Sequence, residues 1–171
     1  MGKLSPPRPI HTEDDVGRFC CGEEILDHWL KNRSLKNEAS GASRTFVVCD
    51  ESRVVAYYAL ATGSVLLAEA PGKVKRNMPD PIPVIVLGRL AIDEQWHGKG
   101  LGRGLLKDVL LRSFNVAQEV GVRALMVHAM SEGAKQFYLH HGFSVSPMDE
   151  MKLFIPLSAK NILGPSGHRE A

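Results

Sequence analysis

The chain has little cysteine and no long apolar run, and each shortage narrows what it can be. Cys20, Cys21 and Cys49 are an odd number in 171 residues and lack the paired spacing of a metal knuckle or a disulfide framework. They are expected to be reduced thiols of a cytoplasmic protein, packed as ordinary small buried side chains. No run reaches the roughly eighteen consecutive apolar residues of a spanning helix, so no membrane segment is expected. Pro6, Pro7 and Pro9 stand where an export leader would need its apolar core, so export is not expected either. Familiar catalytic and metal constellations are also missing. His140 and His141 are adjacent, diverge on a helix and have no H-E-x-x-H context, so no metal is expected. A cysteine nucleophile, a Ser-His-Asp set and a carboxylate pair find no support. Asp93-Glu94, at a strand end, is a candidate to help deprotonate an amine, with simple loop solvation as the alternative.

The length suits one domain, and 44% hydrophobic residues suffice for a real core. The net charge of +2 is unevenly spread. Residues 1–30 hold 3 basic and 6 acidic side chains, residues 31–107 hold 12 and 7, and residues 108–171 hold 6 of each. The middle segment is therefore where a polyanion would dock. Lys31, Arg33 and Lys36, placed just beyond the first helices, and Lys73, Lys75 and Arg76, placed in a proline-rich loop, are its candidate contacts.

The chain is organised around Val84 to Leu110. Val84 to Ile92 is apolar on both faces, as in a central strand covered on each side. Gly88 within it suggests a bulge, which would leave backbone groups free to pair with the amides of an extended ligand. After a polar break, glycines open a helix carrying Leu101, Leu105, Leu106, Val109 and Leu110 at helical spacing. A glycine turn feeding a helix presents unused N–H groups and the positive end of the dipole, which suits a pyrophosphate. The Walker spacing G-x-x-x-x-G-K-S/T is absent; Gln95-Trp96-His97-Gly98-Lys99-Gly100 follows Q/R-x-x-G-x-G/A instead.

Around this stretch, Lys3 to Pro9 reads as a short edge strand. A helical region starts at Glu13-Asp14-Asp15, broken by Gly22 into two short helices bearing Phe19, Ile25, Leu26, Trp29 and Leu30. Thr45–Cys49 and Arg53–Leu60 form a hairpin, the second strand extending toward Leu67 with a bend at Gly63. Glu69 to Pro83 reads as loop. Ala124–His128 is a strand, and Glu132–His141 a helix capped by Ser131 and stopped at Gly142. Phe143–Val145 and Lys152–Pro156 are the last strands. The expected layout is one domain over residues 1–157 and a flexible tail over residues 158–171, marked by Gly164-Pro165-Ser166-Gly167.

The strand ending Leu90-Ala91-Ile92 and the loop that follows resemble the acetyl-coenzyme A motif of GNAT acyltransferases. The run Ala134-Lys135-Gln136-Phe137-Tyr138-Leu139-His140-His141-Gly142-Phe143 resembles that family's tyrosine-bearing helix, A-x-x-F/L-Y-x-x-x-G-F. The resemblance implies an α/β (α+β) fold with a mixed sheet of six to seven strands, about four helices and a splayed cofactor groove. It implies acetyl-CoA as the acetyl donor, with Leu90, Ala91 and Ile92 pairing with pantetheine and His97, Gly98, Lys99, Gly100, Leu101 and Gly102 around the pyrophosphate. At His97 the backbone is expected to matter more than the ring. Tyr138 would protonate the departing thiolate; the alternative is a core tyrosine whose hydroxyl bonds a backbone carbonyl.

Further segments, among them Leu26–Lys31, Ala42–Val48, Tyr58–Val65 and Arg76–Val84, resemble the GNAT toxins of bacterial type II toxin–antitoxin modules, over roughly residues 8–157. That resemblance implies acetylation of the α-amino group of aminoacyl-tRNA, a block in translation, a ribbon-helix-helix antitoxin and, commonly, a homodimer. The alternatives are a GNAT acting on a protein N-terminus or a small amine, and a catalytically idle binding module. Loss of Gly98, Gly100 or Tyr138 would favour the idle module, and all three are present.

Overall fold

Short apolar segments separated by turn chemistry become seven strands, and the segments of helical period pack beside them. A computed structural model of the chain describes residues 3–164. Its strands are β1 (Arg8–Pro9), β2 (Arg44–Asp50), β3 (Arg53–Val65), β4 (Ile82–Ile92), β5 (Ala124–His128), β6 (Ser144–Val145) and β7 (Lys152–Pro156). The helices are α1 (Glu24–Asn32), α2 (Ser34–Ser40), α3 (Gly72–Lys75), α4 (Leu101–Glu119), α5 (Glu132–His140) and α6 (Ala159–Leu163). The hydrogen-bonded strand order is β1-β2-β3-β4-β5-β7-β6. β4 and β5 run parallel, which requires a crossover, and α4 supplies it. β1–β2, β2–β3, β5–β7 and β6–β7 are antiparallel, so the sheet is mixed. Among the described residues the helices number six where about four were expected; α3 and α6 are short helices of 4 and 5 residues.

The chain forms two compact units. One comprises the described residues up to Ala61 together with Gly88–Val109. Its core joins Phe19, Leu26 and Leu30 to Val47, Val54, Tyr57 and Ala91, with Val16 and Trp29 packed against it. α1 faces this core with the buried Leu26 and Leu30 of its amphipathic pattern. α2 follows after a break at Arg33, where the Ser34 hydroxyl donates to the Leu30 carbonyl at 2.6 Å. The other unit comprises Thr62–Leu87 and the described residues from Leu110. Val65, Ala70, Val74, Ile82, Val84, Ala124 and Phe154 form its core.

Several expectations change. No helix forms at Glu13–Phe19, where the backbone makes turns and bends. The acids that suggested a helix start are engaged elsewhere: Asp14 accepts both Arg8 Nη atoms at 3.0 and 2.8 Å and the His11 N–H at 2.7 Å. The Asp15 carbonyl accepts from Val54 N–H at 2.9 Å. Such bonds offer the backbone an alternative to helix. The edge strand at Lys3–Pro9 shrinks to Arg8–Pro9 plus a bridge from Leu4 to Asp50, with Pro6 and Pro7 between. β3 runs through Gly63 to Val65; a Cβ at Gly63 would come within 3.0 Å of Val86, so close approach explains this glycine. Lys31 lies within α1 and Lys36 within α2, while Lys73 and Lys75 lie on α3 within the expected loop. Cys21 and Cys49 are buried, but Cys20 is exposed. Residues 159–163 are helical with Ser158 as N-cap; the expected tail from Pro165 lies outside the described residues. Among the described residues no helix is long and apolar enough to cross a membrane.

Candidate active site

The pairing of β4 with β5 covers Val84–Leu87, and β4 then continues to Ile92. Gly88 is thus the first residue past that register, and Leu90, Ala91 and Ile92 end the strand. Ala91 is buried in the core with Tyr57, while Leu90 and Ile92 are half-buried.

A short turn, Glu94–Trp96, leads from β4 to the glycine loop, and Asp93 caps it. Asp93 is 2% exposed. Its carboxylate accepts the N–H of Gln95 at 3.0 Å and of Cys20 at 3.1 Å, and pairs with Arg53 Nη2 at 3.2 Å. Buried and holding three hydrogen bonds, Asp93 fixes the strand end and is poorly placed to remove an amine's proton. Glu94 is exposed. The His97 Nε2–H donates to the Ile92 carbonyl at 2.6 Å, closing the loop on the strand end. The ring thus helps to hold the loop on which the His97 backbone is expected to act.

Gly98 and Gly100 have φ of 75° and 83°, in the left-handed region that side chains other than glycine rarely occupy. A Cβ at either would meet nothing within 4 Å, so the loop is open above both. α4 begins at Leu101 with no acid in its first turn, and exposed Lys99 and Arg103 flank that end. Unused N–H groups, the positive dipole end and two cations together fit a diphosphate.

Tyr138 lies on α5, held by Ser131 at one end, whose Oγ accepts the Ala134 N–H at 3.1 Å. At the other end the N–H groups of His141 and Phe143 donate to the Tyr138 carbonyl at 3.0 and 3.1 Å. The ring is 6% exposed, with Phe137 and Phe143 centroids each at 5.2 Å. Burial raises its pKa above the ordinary phenol value, so it keeps its proton. Among the described residues its hydroxyl makes no hydrogen bond, which removes the reading of a tyrosine tied to a backbone carbonyl.

The six candidate polyanion contacts fall into two sets, one in each unit. Lys31, Arg33 and Lys36 lie exposed on α1, at the break and on α2; Lys73, Lys75 and Arg76 lie exposed on α3 and just after it. Among the described residues none of the six takes part in an ion pair. Arg123, which nothing in the sequence singled out, pins the second set: its Nη2 and Nε donate to the carbonyls of Lys73 and Val74, each at 3.0 Å. Trp29 and Arg89 were missed too. The Arg89 guanidinium stands 5.2 Å from the Trp29 ring centroid, and Trp29 stacks on Tyr57 at 5.9 Å.

Comparison with known proteins decides the family. The acetyltransferase (GNAT) domain matches residues 41–145. The chain is a GNAT acetyltransferase. It is 47% identical over 165 residues to the tRNA-acetylating toxin of Mycobacterium tuberculosis, covering 96% of this chain and 99% of that one. The structure of AtaT complexed with acetyl-methionyl-tRNAfMet superposes with a TM-score of 0.85 at 29% identity, covering 94% and 97%. A variant of AtaT bound to acetyl-CoA and the C-terminus of the antitoxin AtaR matches with a TM-score of 0.79 at 28% identity, over 94% and 97%. The GNAT assignment accounts for the mixed sheet and for the glycine loop opening α4.

Proposed function

We propose that this acetyltransferase uses acetyl-CoA to acetylate the α-amino group of aminoacyl-tRNA in the cytoplasm, stopping translation until a cognate ribbon-helix-helix antitoxin neutralises it. One observation carries the reading: the 47% identity to a tRNA-acetylating toxin extends over 96% of the chain, so it includes acceptor-side elements as well as the cofactor loop. Residues 1–157 form the catalytic domain in this reading.

When bound, acetyl-CoA supplies a thioester whose acetyl carbon the amine attacks. The free edge at Leu90, Ala91 and Ile92 pairs with pantetheine amides, and His97 through Gly102 hold the diphosphate on backbone N–H groups. The nitrogen–carbon bond forms as the carbon–sulfur bond breaks; the Tyr138 hydroxyl protonates the departing sulfur, the nitrogen sheds its extra proton to solvent, and the Tyr138 phenolate takes a proton back from solvent. Its raised pKa keeps the hydroxyl protonated at working pH, and among the described residues no group competes for that proton. The amine needs no dedicated base. An α-amino group has a pKa of about 7.7–8, and the neighbouring ester lowers it, so much of it is neutral near pH 7. Lys31, Arg33, Lys36, Lys73, Lys75 and Arg76 contact tRNA phosphates.

The decisive experiment supplies labelled acetyl-CoA with charged tRNA, free amino acids or N-terminal peptides. Label is expected on aminoacyl-tRNA; label on peptides and none on aminoacyl-tRNA overturns the proposal. Lys75→Glu with Arg76→Glu should weaken tRNA acetylation and flatten its salt dependence by about 0.7–0.9 in slope per lost phosphate contact, leaving acetyl-CoA affinity intact. Expression of the chain alone should arrest bacterial growth, and co-expression of the neighbouring reading frame should relieve the arrest.

A further inference from the structure

A cleft of about 350 Å³ is lined by Glu24, Ile25, His28 and Trp29 of α1 and by Arg89 of β4. Residues 25, 28 and 29 are separated by three and four, so they share one face of α1. Ile25 is 65% exposed, an apolar side chain held in water beside a half-buried indole. Arg89 and Ala91 alternate with Leu90 along β4 and share a face of the strand. Ala91 packs in the same core as Leu26, with Trp29 against it. The cleft therefore opens directly beside the strand end assigned to pantetheine.

Arg89 is under-used in the folded chain. Among the described residues its Nε is buried with no hydrogen-bond partner, and its Nη1 reaches only the Gly88 carbonyl, at a long 3.4 Å. A guanidinium presents five donors in a planar fork suited to phosphate. The cleft thus offers an apolar and aromatic wall, Ile25 and Trp29, and a cation that has donors to spare, with Glu24 the one acid in its lining. Lys31, Arg33 and Lys36 continue positive charge along the same helix pair. A base against an aromatic ring with its phosphate on a cation is the usual chemistry of single-stranded RNA binding.

We propose that this cleft takes the 3′-terminal aminoacyl-adenosine of the charged tRNA, with the adenine against Ile25 and Trp29 and the phosphate on its 5′ side at Arg89. This rests on the acceptor proposed above and adds how that acceptor is recognised: the terminal nucleoside is read as well as the amine. The cleft then presents the α-amine toward Leu90–Ile92.

The test uses the full chain and three acceptors carrying one amino acid: charged tRNA, the amide-linked 3′-aminoacylamino-3′-deoxyadenosine, and the methyl ester. The nucleoside amide should be acetylated with kcat/KM roughly ten- to a hundredfold above the methyl ester, the range that base stacking supplies. Ile25→Glu, at an exposed position that folding does not depend on, should abolish that advantage and raise KM for charged tRNA while acetyl-CoA affinity holds. Trp29→Leu should do the same, with thermal melting reporting any loss of its packing on Tyr57. Arg89→Gln should raise KM for charged tRNA more than for the nucleoside amide, which lacks the phosphate. If charged tRNA is acetylated but the nucleoside amide is no better than the methyl ester, and Ile25→Glu leaves KM unchanged, this inference fails and the tRNA reading survives. If the methyl ester is acetylated and charged tRNA is not, the tRNA reading has failed and takes this inference with it.

Discussion

Tyr57 in the core of one unit and Tyr138 on α5 of the other start from the same physics and end in different roles. Both are buried, and in both desolvation raises the pKa and keeps the proton on. The Tyr57 hydroxyl donates to the Leu26 carbonyl at 2.7 Å, tying β3 to α1. The Tyr138 hydroxyl donates to nothing among the described residues. A buried polar group with a partner contributes stability; the Tyr138 oxygen has none among the described residues, yet it is not one of the fully buried unpartnered atoms, so it stands open to a ligand. Burial alone does not separate the two tyrosines; in the proposed reading the partner does, marking Tyr57 as structural and leaving Tyr138 to react.

The sharpest way to break this contrast is to remove each hydroxyl. Tyr138→Phe should lower turnover about a hundredfold or more, with acetyl-CoA affinity nearly unchanged. Its melting temperature should hold or rise, because no bond is lost. Tyr57→Phe should destabilise the fold by about 1 kcal/mol while turnover of the folded fraction stays at the parent level. Stopped-flow turnover and denaturant unfolding on both variants separate the outcomes. Equal turnover losses would show that a partnered hydroxyl does not exclude chemistry here.

Asp93 extends the contrast to carboxylates. Asp93→Asn removes the charge facing Arg53, which is only 21% exposed on its side chain. Breaking one side of such a pair costs about 3 kcal/mol, a large share of a typical domain's stability. The pH dependence of turnover should keep its shape in the surviving folded enzyme, since Asp93 transfers no proton. Loss of the acidic limb of that profile would instead make Asp93 a base. Gly100→Val should have a smaller effect. Forcing a β-branched residue to φ near 83° costs about 1–3 kcal/mol of strain, so acetyl-CoA binding in calorimetry should weaken about tenfold. Gly104→Ala, further along α4 with open space around it and no positive φ, is the matched control and should bind normally.

What was legible in the sequence was local. The glycine loop was readable because its strand, glycines and helix are contiguous from Val84 to Leu110. The α5 helix was readable because Ser131 and Gly142 mark its ends within one short segment. What was not legible depends on partners far apart in sequence. Asp93 resembled a free acid until Cys20 and Arg53 arrived from other elements. Glu13-Asp14-Asp15 looked like a helix start because nothing nearby shows that Arg8 claims the Asp14 carboxylate and that Val54 of β3 claims the Asp15 carbonyl. Trp29 read as one more apolar residue of α1, and only the fold sets Arg89 beside it. The exposure of Cys20 next to buried Cys21 has no local signal either.

The effect expected at Asp14 is modest, and it carries a definite pH signature. The Asp14 side chain is 6% exposed and bonds both Nη atoms of Arg8, whose own side chain is 32% exposed. Burial by itself would raise the Asp14 pKa, but the Arg8 and His11 hydrogen bonds and the Arg8 charge outweigh it, so the folded value lies below the ordinary 3.8. A carboxyl with a lowered folded pKa binds fewer protons folded than unfolded near that value. Its stabilisation is therefore complete above about pH 4 and is lost as pH falls through the folded value. Asp14→Asn keeps an acceptor but loses the charge; with Arg8 partly in water this should cost about 1–2 kcal/mol at neutral pH. Unfolding free energies of parent and variant should converge as pH drops below 3.8, leaving the difference flat from pH 5 to 8. A difference that instead grew on acidification would mean that Asp14 is better bound protonated, and the partnered carboxylate would then not be the stabilising element assigned to it here.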